Sequence, residues 1–247
     1  MIGRRALLAS PLLAALPAQA AVPAAQPISR LDTPWWRARH QAKIAELRAA
    51  RPELLWLGDS ITQNFERNGP EPWARFHPVW DRNYAPLRAV NLGFKGDATS
   101  HLLWRLQNGE LDGVAPRAAV MLIGANNLGR LHWSAEDSVV GIAACVAEVR
   151  RRLPATRILL LGVLPSDRTA WASQTTAEIN AALPRRIARP DANFLDLSAL
   201  FAPGGRLDHG LFYDGLLSPP EPALHPTADG MARLAAAIQP ALTGLLA

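Results

Sequence analysis

The chain has 247 residues, 49% of them hydrophobic and 19% charged, the balance of a single globular domain rather than a disordered or fibrous chain. Lys and Arg outnumber Asp and Glu by 26 to 21. Arg4 and Arg5 belong to the N-terminal leader, which leaves an excess of three cations, and no basic run has interleaved aromatics, so nucleic acid is not an expected partner. Cys145 is the sole cysteine, which excludes an intramolecular disulfide, and the histidines are scattered, so a zinc site has nothing to build on.

In chain order, Arg4 and Arg5 precede an apolar run from Ala6 to Leu16, and Ala18-Gln19-Ala20 supplies the small residues a signal peptidase accepts. The expectation is an export signal over residues 1–20, by the general or the twin-arginine route, and a periplasmic or secreted protein. A bilayer span needs about 20 apolar residues. This run is shorter and holds Pro11, so no stable membrane insertion is expected after cleavage. Residues 21–33 are rich in Ala and Pro and read as a flexible linker, with the folded domain over 34–247.

Pro34 opens a helix with Trp36, Ile44 and Leu47 at helical spacing. Then ELLWLG, LRAVNLG, AAVMLIG, RILLLGVLP and ANFLDLS read as strands, each apolar enough for burial on both faces. Between them ATSHLLWRLQNG reads as a helix stopped by Gly, and SAEDSVVGIAACVAEVRRRL as one capped by Ser134, with a stripe of Val139, Ile142, Val146, Val149 and Leu153. Cys145 falls beside that stripe as a buried small hydrophobe. A last helix carries Met231, Leu234, Ile238 and Leu242, and the aperiodic stretch from Thr62 to Leu87 is expected as loop and short helix.

This alternation predicts a three-layer α/β/α sandwich around a five-stranded parallel sheet of flavodoxin-like order. Ligands of such sheets bind beyond the carboxyl ends of the strands. Ser60 follows the first strand, Gly93 the second and Asn126 the third, and His225 arrives on the loop before the last helix. A serine hydroxyl needs a base to become a nucleophile, and the oxyanion it creates needs aimed donors. Taken singly, Gly-Asp-Ser is a common turn, Asn126 a turn cap, and Gly93 a backbone requirement.

Four ordered blocks carry more: GDSIT at 58–62, NLGFKGD at 91–97, GANN at 124–127 and LHP at 224–226. They resemble those of the SGNH (GDSL-type) hydrolases, and LWRLQNGELDG at 103–113 is similar to the branch of platelet-activating-factor acetylhydrolase catalytic subunits. The resemblance implies the SGNH hydrolase fold, Ser60 as nucleophile, His225 as base, and an oxyanion hole from Ser60, Gly93 and Asn126. It implies no metal and no organic cofactor, because every reacting group is a protein group. The family's Asp three residues before the histidine is replaced by Pro222. Glu221 is the favoured substitute, with Asp214 second, Asp208 further upstream, and a Ser-His dyad as the remaining alternative. Asp59 and Asp97 read as loop ties, and Lys95 as a solvated side chain.

Eight tryptophans against two tyrosines include Trp133 and Trp171 after the third and fourth strands, placed to stack on a sugar or simply to pack. Trp36, Trp56 and Trp104 fit the core better. The expected activity is an exported serine esterase removing a short, acetyl-type acyl group from a carbohydrate or other small substrate. The alternatives are an O-acyltransferase acting on polysaccharide, and a non-catalytic polysaccharide-binding module that lost its acid.

Overall fold

The computed structural model describes residues 21–188 and 192–247, so the expected export signal lies outside the described residues. Five strands, β1 (Leu54–Gly58), β2 (Val90–Gly93), β3 (Ala118–Leu122), β4 (Arg157–Leu161) and β5 (Ala192–Leu195), form one sheet in the order β2-β1-β3-β4-β5. All pairs are parallel. Helix α1 (Pro34–Ala50) precedes the sheet. Helices α2 (Ser60–Gln63) and α3 (Phe76–Asn83) follow β1, α4 (Thr99–Arg105) follows β2, and α5 (Ala125–Gly129) and α6 (Ala135–Arg152) follow β3. Helix α7 (Ala170–Ile187) follows β4, and α8 (Ser198–Phe201) and α9 (Ala228–Leu246) follow β5.

Period-two alternation builds the two outer layers. Leu55, Leu57, Leu92 and Met121 face one side, where α4, α6 and α7 bury Leu102, Ile142, Val146 and Ile179. Leu54, Trp56, Val120 and Leu122 face the other, against Phe65, Phe76, Phe201, Met231, Leu234 and Ile238. The α6 stripe is buried along its length. Its Ser134 side chain accepts the Asp137 N–H at 3.0 Å, satisfying a helix-end donor. Cys145 is fully buried, donates to the Thr99 carbonyl at 3.3 Å, and is pushed up to about 12 by burial, which leaves it unreactive.

Three expectations change. Residues 21–33 are not a slack linker: Pro23–Ala25 forms a short 3-10 turn whose Ala24 is fully buried, and its carbonyl accepts the Thr99 hydroxyl at 2.7 Å. Composition misleads there because small side chains are what a close docking of backbone against α4 and α6 requires. Strand β5 lies at the sheet edge and is only partly buried. The helix expected to run to Gly109 leaves regular α geometry after Arg105, with a wide turn over Leu106–Glu110 and Gly109 at φ +110°.

Candidate active site

Gly58 is level with Gly93 on one side and Leu122 on the other, so the loops after β1, β2 and β3 leave the sheet together at the point where strand order reverses. Asp59 ends β1, and its Oδ1 accepts the Ile61 N–H at 3.0 Å, turning the chain into α2 with Ser60 first. Ser60 Oγ lies 3.0 Å from His225 Nε2. The two residues are 165 positions apart in sequence.

His225 is held on its other side by Asp214. Nδ1 stands 2.6 Å from Asp214 Oδ1, which requires the proton on Nδ1 and leaves Nε2 as an acceptor facing the serine hydroxyl. Asp214 Oδ2 also accepts the N–H groups of Leu224 at 2.7 Å and His225 at 2.5 Å. Burial alone raises the Asp214 carboxyl, but the bonds from the His225 ring and backbone win and hold it below the usual carboxylate range. Tyr213 stacks flat on the imidazole, 5.5 Å between centroids and 16° between planes.

The preference for Glu221 is therefore corrected: Asp214 meets the ring, and Glu221 pairs with Arg168 at 2.7 Å, about half exposed. Arg168 also reaches Asp214 Oδ1 at 3.1 Å. The inserted loop explains the distance in sequence. Its Glu221 N–H closes onto the Asp214 carbonyl at 3.0 Å, folding residues 215–224 back so that Asp214 and His225 are neighbours. Neither a dyad nor loss of the acid follows from Pro222. Asp208 instead accepts the Gly210 N–H at 3.1 Å.

Gly93 is the second correction. Its N–H is already donated to Asn91 Oδ1 at 2.8 Å, and a Cβ there would lie 2.2 Å from the Gln63 amide nitrogen. This glycine permits α2 to lie on β2, and its N–H is spent. Along the loop that follows, Phe94 N–H goes to Gly58 O, Lys95 N–H to Gln63 Oε1, and Asp97 N–H to Phe94 O. Gly96, at φ +79°, is left as the loop residue whose N–H has no partner among the described residues. The Ser60 N–H is likewise without a partner among them. Asn126 Nδ2 donates to the Asp97 carbonyl at 3.0 Å and, more weakly, to Asp59 Oδ2 at 3.3 Å, which brings it to the same place. Burial, set against the Ile61 N–H and the nearby His225, raises the Asp59 carboxyl to about 6.

Beneath this lies a charged support that the sequence reading passed over. Arg105, fully buried, donates to Asp97 Oδ2 at 2.8 Å, to Glu110 Oε2 at 2.5 Å and to the Gly58 carbonyl at 3.1 Å, with its guanidinium 4.0 Å above the Phe94 ring. One side chain thus ties the Ser60 turn to the Gly96 loop. The signal was available, since Arg105 and Glu110 are the two charged residues in LWRLQNGEL. Trp171 is 42% exposed and lies beside His132, 5.7 Å between ring centroids. Trp133 is half-buried, and its backbone N–H donates to the Asn127 carbonyl. Neither tryptophan makes a hydrogen bond or ring contact with Ser60, Asn126 or His225 among the described residues. Lys95 is exposed, while Trp36 and Trp56 are fully buried.

A hydroxyl, an imidazole with one acceptor nitrogen, a buried carboxylate and converging N–H donors on a flavodoxin-like sheet define a serine-hydrolase type of site. The comparisons agree. The profile of the GDSL-like Lipase/Acylhydrolase family matches residues 56–233. Platelet-activating factor acetylhydrolase IB subunit alpha1 of Homo sapiens is 33% identical over 184 residues, covering 73% of this chain and 74% of that one. A GDSL-like lipase from Bacteroides thetaiotaomicron superposes with a TM-score of 0.66 at 15% identity, over 84% of this chain and 97% of that one. A catalytic mutant of an acetylxylan esterase from Geobacillus stearothermophilus gives 0.55 at 19%, over 76% and 93%. The chain belongs to the GDSL-like lipase and acylhydrolase family, with an SGNH hydrolase fold, and is a carboxylic ester hydrolase.

Proposed function

We propose that the protein is an exported esterase that removes short, acetyl-type acyl groups from a carbohydrate or other small alcohol through a Ser60-His225-Asp214 relay. Ser60 Oγ attacks the ester carbonyl as His225 Nε2 takes its proton, and Asp214 steadies the imidazolium. The oxyanion is received by the N–H groups of Ser60 and Gly96 and by Asn126 Nδ2, whose weak 3.3 Å contact with Asp59 it replaces. His225 then returns the proton to the departing alcohol, and water repeats the sequence to free Ser60.

The observation that carries the reading is the continuous set of contacts Ser60 Oγ, His225 and Asp214 at 3.0 and 2.6 Å. A short acyl group is supported by the likeness to a platelet-activating factor acetylhydrolase subunit. A surface hollow of about 850 Å³ is lined by Val22 and by residues of α6 and α7 and contains no residue of the relay. The exposed Trp171–His132 pair supports a sugar face as the alcohol. Export rests on Arg4, Arg5 and the apolar run that follows them.

A panel of acetyl, butyryl and octanoyl esters, with acetylated sugars beside p-nitrophenyl esters and Ser60→Ala as control, tests this. The expected result is acetyl preference abolished in Ser60→Ala. Octanoyl preference refutes the short acyl group, and accumulation of sugar ester instead of free acetate when a sugar acceptor is added shows acyl transfer.

A further inference from the structure

The segment ahead of α1 touches the loop that carries Gly96 and reaches the residue beside Asn126 through Thr99. Arg30 Nη1 donates to Asp97 Oδ1 at 2.7 Å and to the Lys95 carbonyl at 3.1 Å, so one guanidinium grips the residues on each side of Gly96. Asp97 Oδ1 accepts Trp36 Nε1 at 2.8 Å as well, and its Oδ2 takes Arg105. Arg30 supplies the contact made from outside the core, and its side chain is 16% exposed. Further up the segment, the Ile28 N–H donates to the Ser100 carbonyl at 3.1 Å. The Ala24 carbonyl takes the Thr99 hydroxyl, which in turn accepts Asn127 Nδ2 at 3.0 Å, the residue next to Asn126. Ala24 fits a socket so close that a Cβ on Gly141 would lie 2.9 Å from its methyl.

A glycine at φ +79° is unstrained but conformationally free, so its uncommitted N–H stays aimed only where its flanks are fixed. Flanks fixed by charged hydrogen bonds keep the donor aimed before substrate arrives, which is what makes such a donor effective. The N-terminal segment supplies one of these fixed flanks, and a sequence with the composition of a linker is packed and hydrogen-bonded there.

We infer that residues 23–30 are a brace for the oxyanion hole, with Arg30 as a positioning residue that fixes the 95–97 turn from across the chain. The inference rests on the esterase reading above. Its substrate dependence follows: a loosened turn weakens binding of the tetrahedral state while ground-state binding, which does not use the oxyanion donors fully, changes little.

The test uses the full chain carrying Arg30→Ala, Arg30→Lys or Ala24→Trp, the last expelling the segment from its socket without touching the turn. For each, kcat and KM on p-nitrophenyl acetate, the inhibition constant of an alkyl boronic acid that forms a tetrahedral adduct, and Tm are measured. Arg30→Ala is expected to lower kcat by roughly 10- to 100-fold, less than outright loss of a donor, with KM within about threefold of wild type. Boronate affinity falls by the same factor as kcat/KM, Arg30→Lys recovers most of the loss, and Ala24→Trp reproduces it. Unchanged kcat in Arg30→Ala, or a fall in kcat with boronate affinity intact, overturns the brace while leaving the esterase reading standing. A wild-type protein inert toward every ester overturns the esterase reading itself.

Discussion

Asp214→Asn keeps the shape of the side chain and removes its charge. The carboxylate is fully buried and receives four hydrogen bonds, from His225 Nδ1, the N–H groups of Leu224 and His225, and Arg168. An amide has one oxygen. If that oxygen stays on the two backbone donors, its NH2 faces Nδ1 and forces the ring proton to Nε2, where it can no longer accept from Ser60. The imidazolium formed during attack also loses its counter-charge, worth about 4 kcal/mol for unit charges roughly 4 Å apart at an effective dielectric near 20. That corresponds to roughly 10³-fold in kcat, of the same order as the roughly 10⁴-fold loss for the equivalent change in a serine protease. Glu221→Gln removes only a half-exposed partner of Arg168, a contact worth about 0–1 kcal/mol, so its loss stays below about fivefold. Steady-state hydrolysis of p-nitrophenyl acetate by both variants, with Tm recorded for each, decides between them. Asp214→Asn retaining a tenth or more of wild-type kcat, or Glu221→Gln falling as far, refutes the assignment of the acid.

Asn126→Ala should cost about 10²–10³ in kcat with little change in Tm, and a rise in KM with kcat unchanged would point to ground-state rather than oxyanion contact. Gly93→Ala should fail at folding instead, because its Cβ meets the backbone of Thr62 and Gln63 at 2.7 and 2.2 Å; a variant with wild-type Tm would contradict that close packing. Burial raises Asp59 from 3.8 to about 6, so its favourable contribution is complete below about pH 4 and is lost as pH rises through about 6, about 3 kcal/mol in all. Asp59→Asn, which stays neutral, should therefore gain stability over wild type between pH 4.5 and pH 8 in urea titrations, and a difference independent of pH contradicts the raised carboxyl. Glu110→Gln leaves Arg105 buried with one carboxylate instead of two and should cost about 3 kcal/mol or more in the same titration; a loss below about 1 kcal/mol means the pair is not the support described.

The sheet was legible because its strands are short apolar runs separated by amphipathic helices, and parallel pairing with right-handed crossovers leaves few arrangements. Ser60, Asn126 and His225 were legible because each follows a strand or precedes a helix at the loop end of that sheet. The acid was legible only as one of two candidates, with Asp214 placed second, since it reaches His225 through a folded-back loop of ten residues whose closure depends on backbone bonds that no spacing rule encodes. Gly93 and Gly96 share one block, and composition does not reveal which N–H the chain has already used. That distinction needed the hydrogen bond from Gly93 to Asn91. Residues 21–33 misled for the opposite reason: Ala and Pro signify slack chain on average, yet a small residue such as Ala24 is what a tight socket admits.

Covalent labelling tests the central claim most directly. A fluorophosphonate incubated with the wild-type protein, followed by peptide mapping in a mass spectrometer, should place one adduct per chain on Ser60, with labelling slowed in Asp214→Asn and absent in Ser60→Ala. An adduct on another residue, or hydrolysis that continues after Ser60 is replaced, contradicts the account.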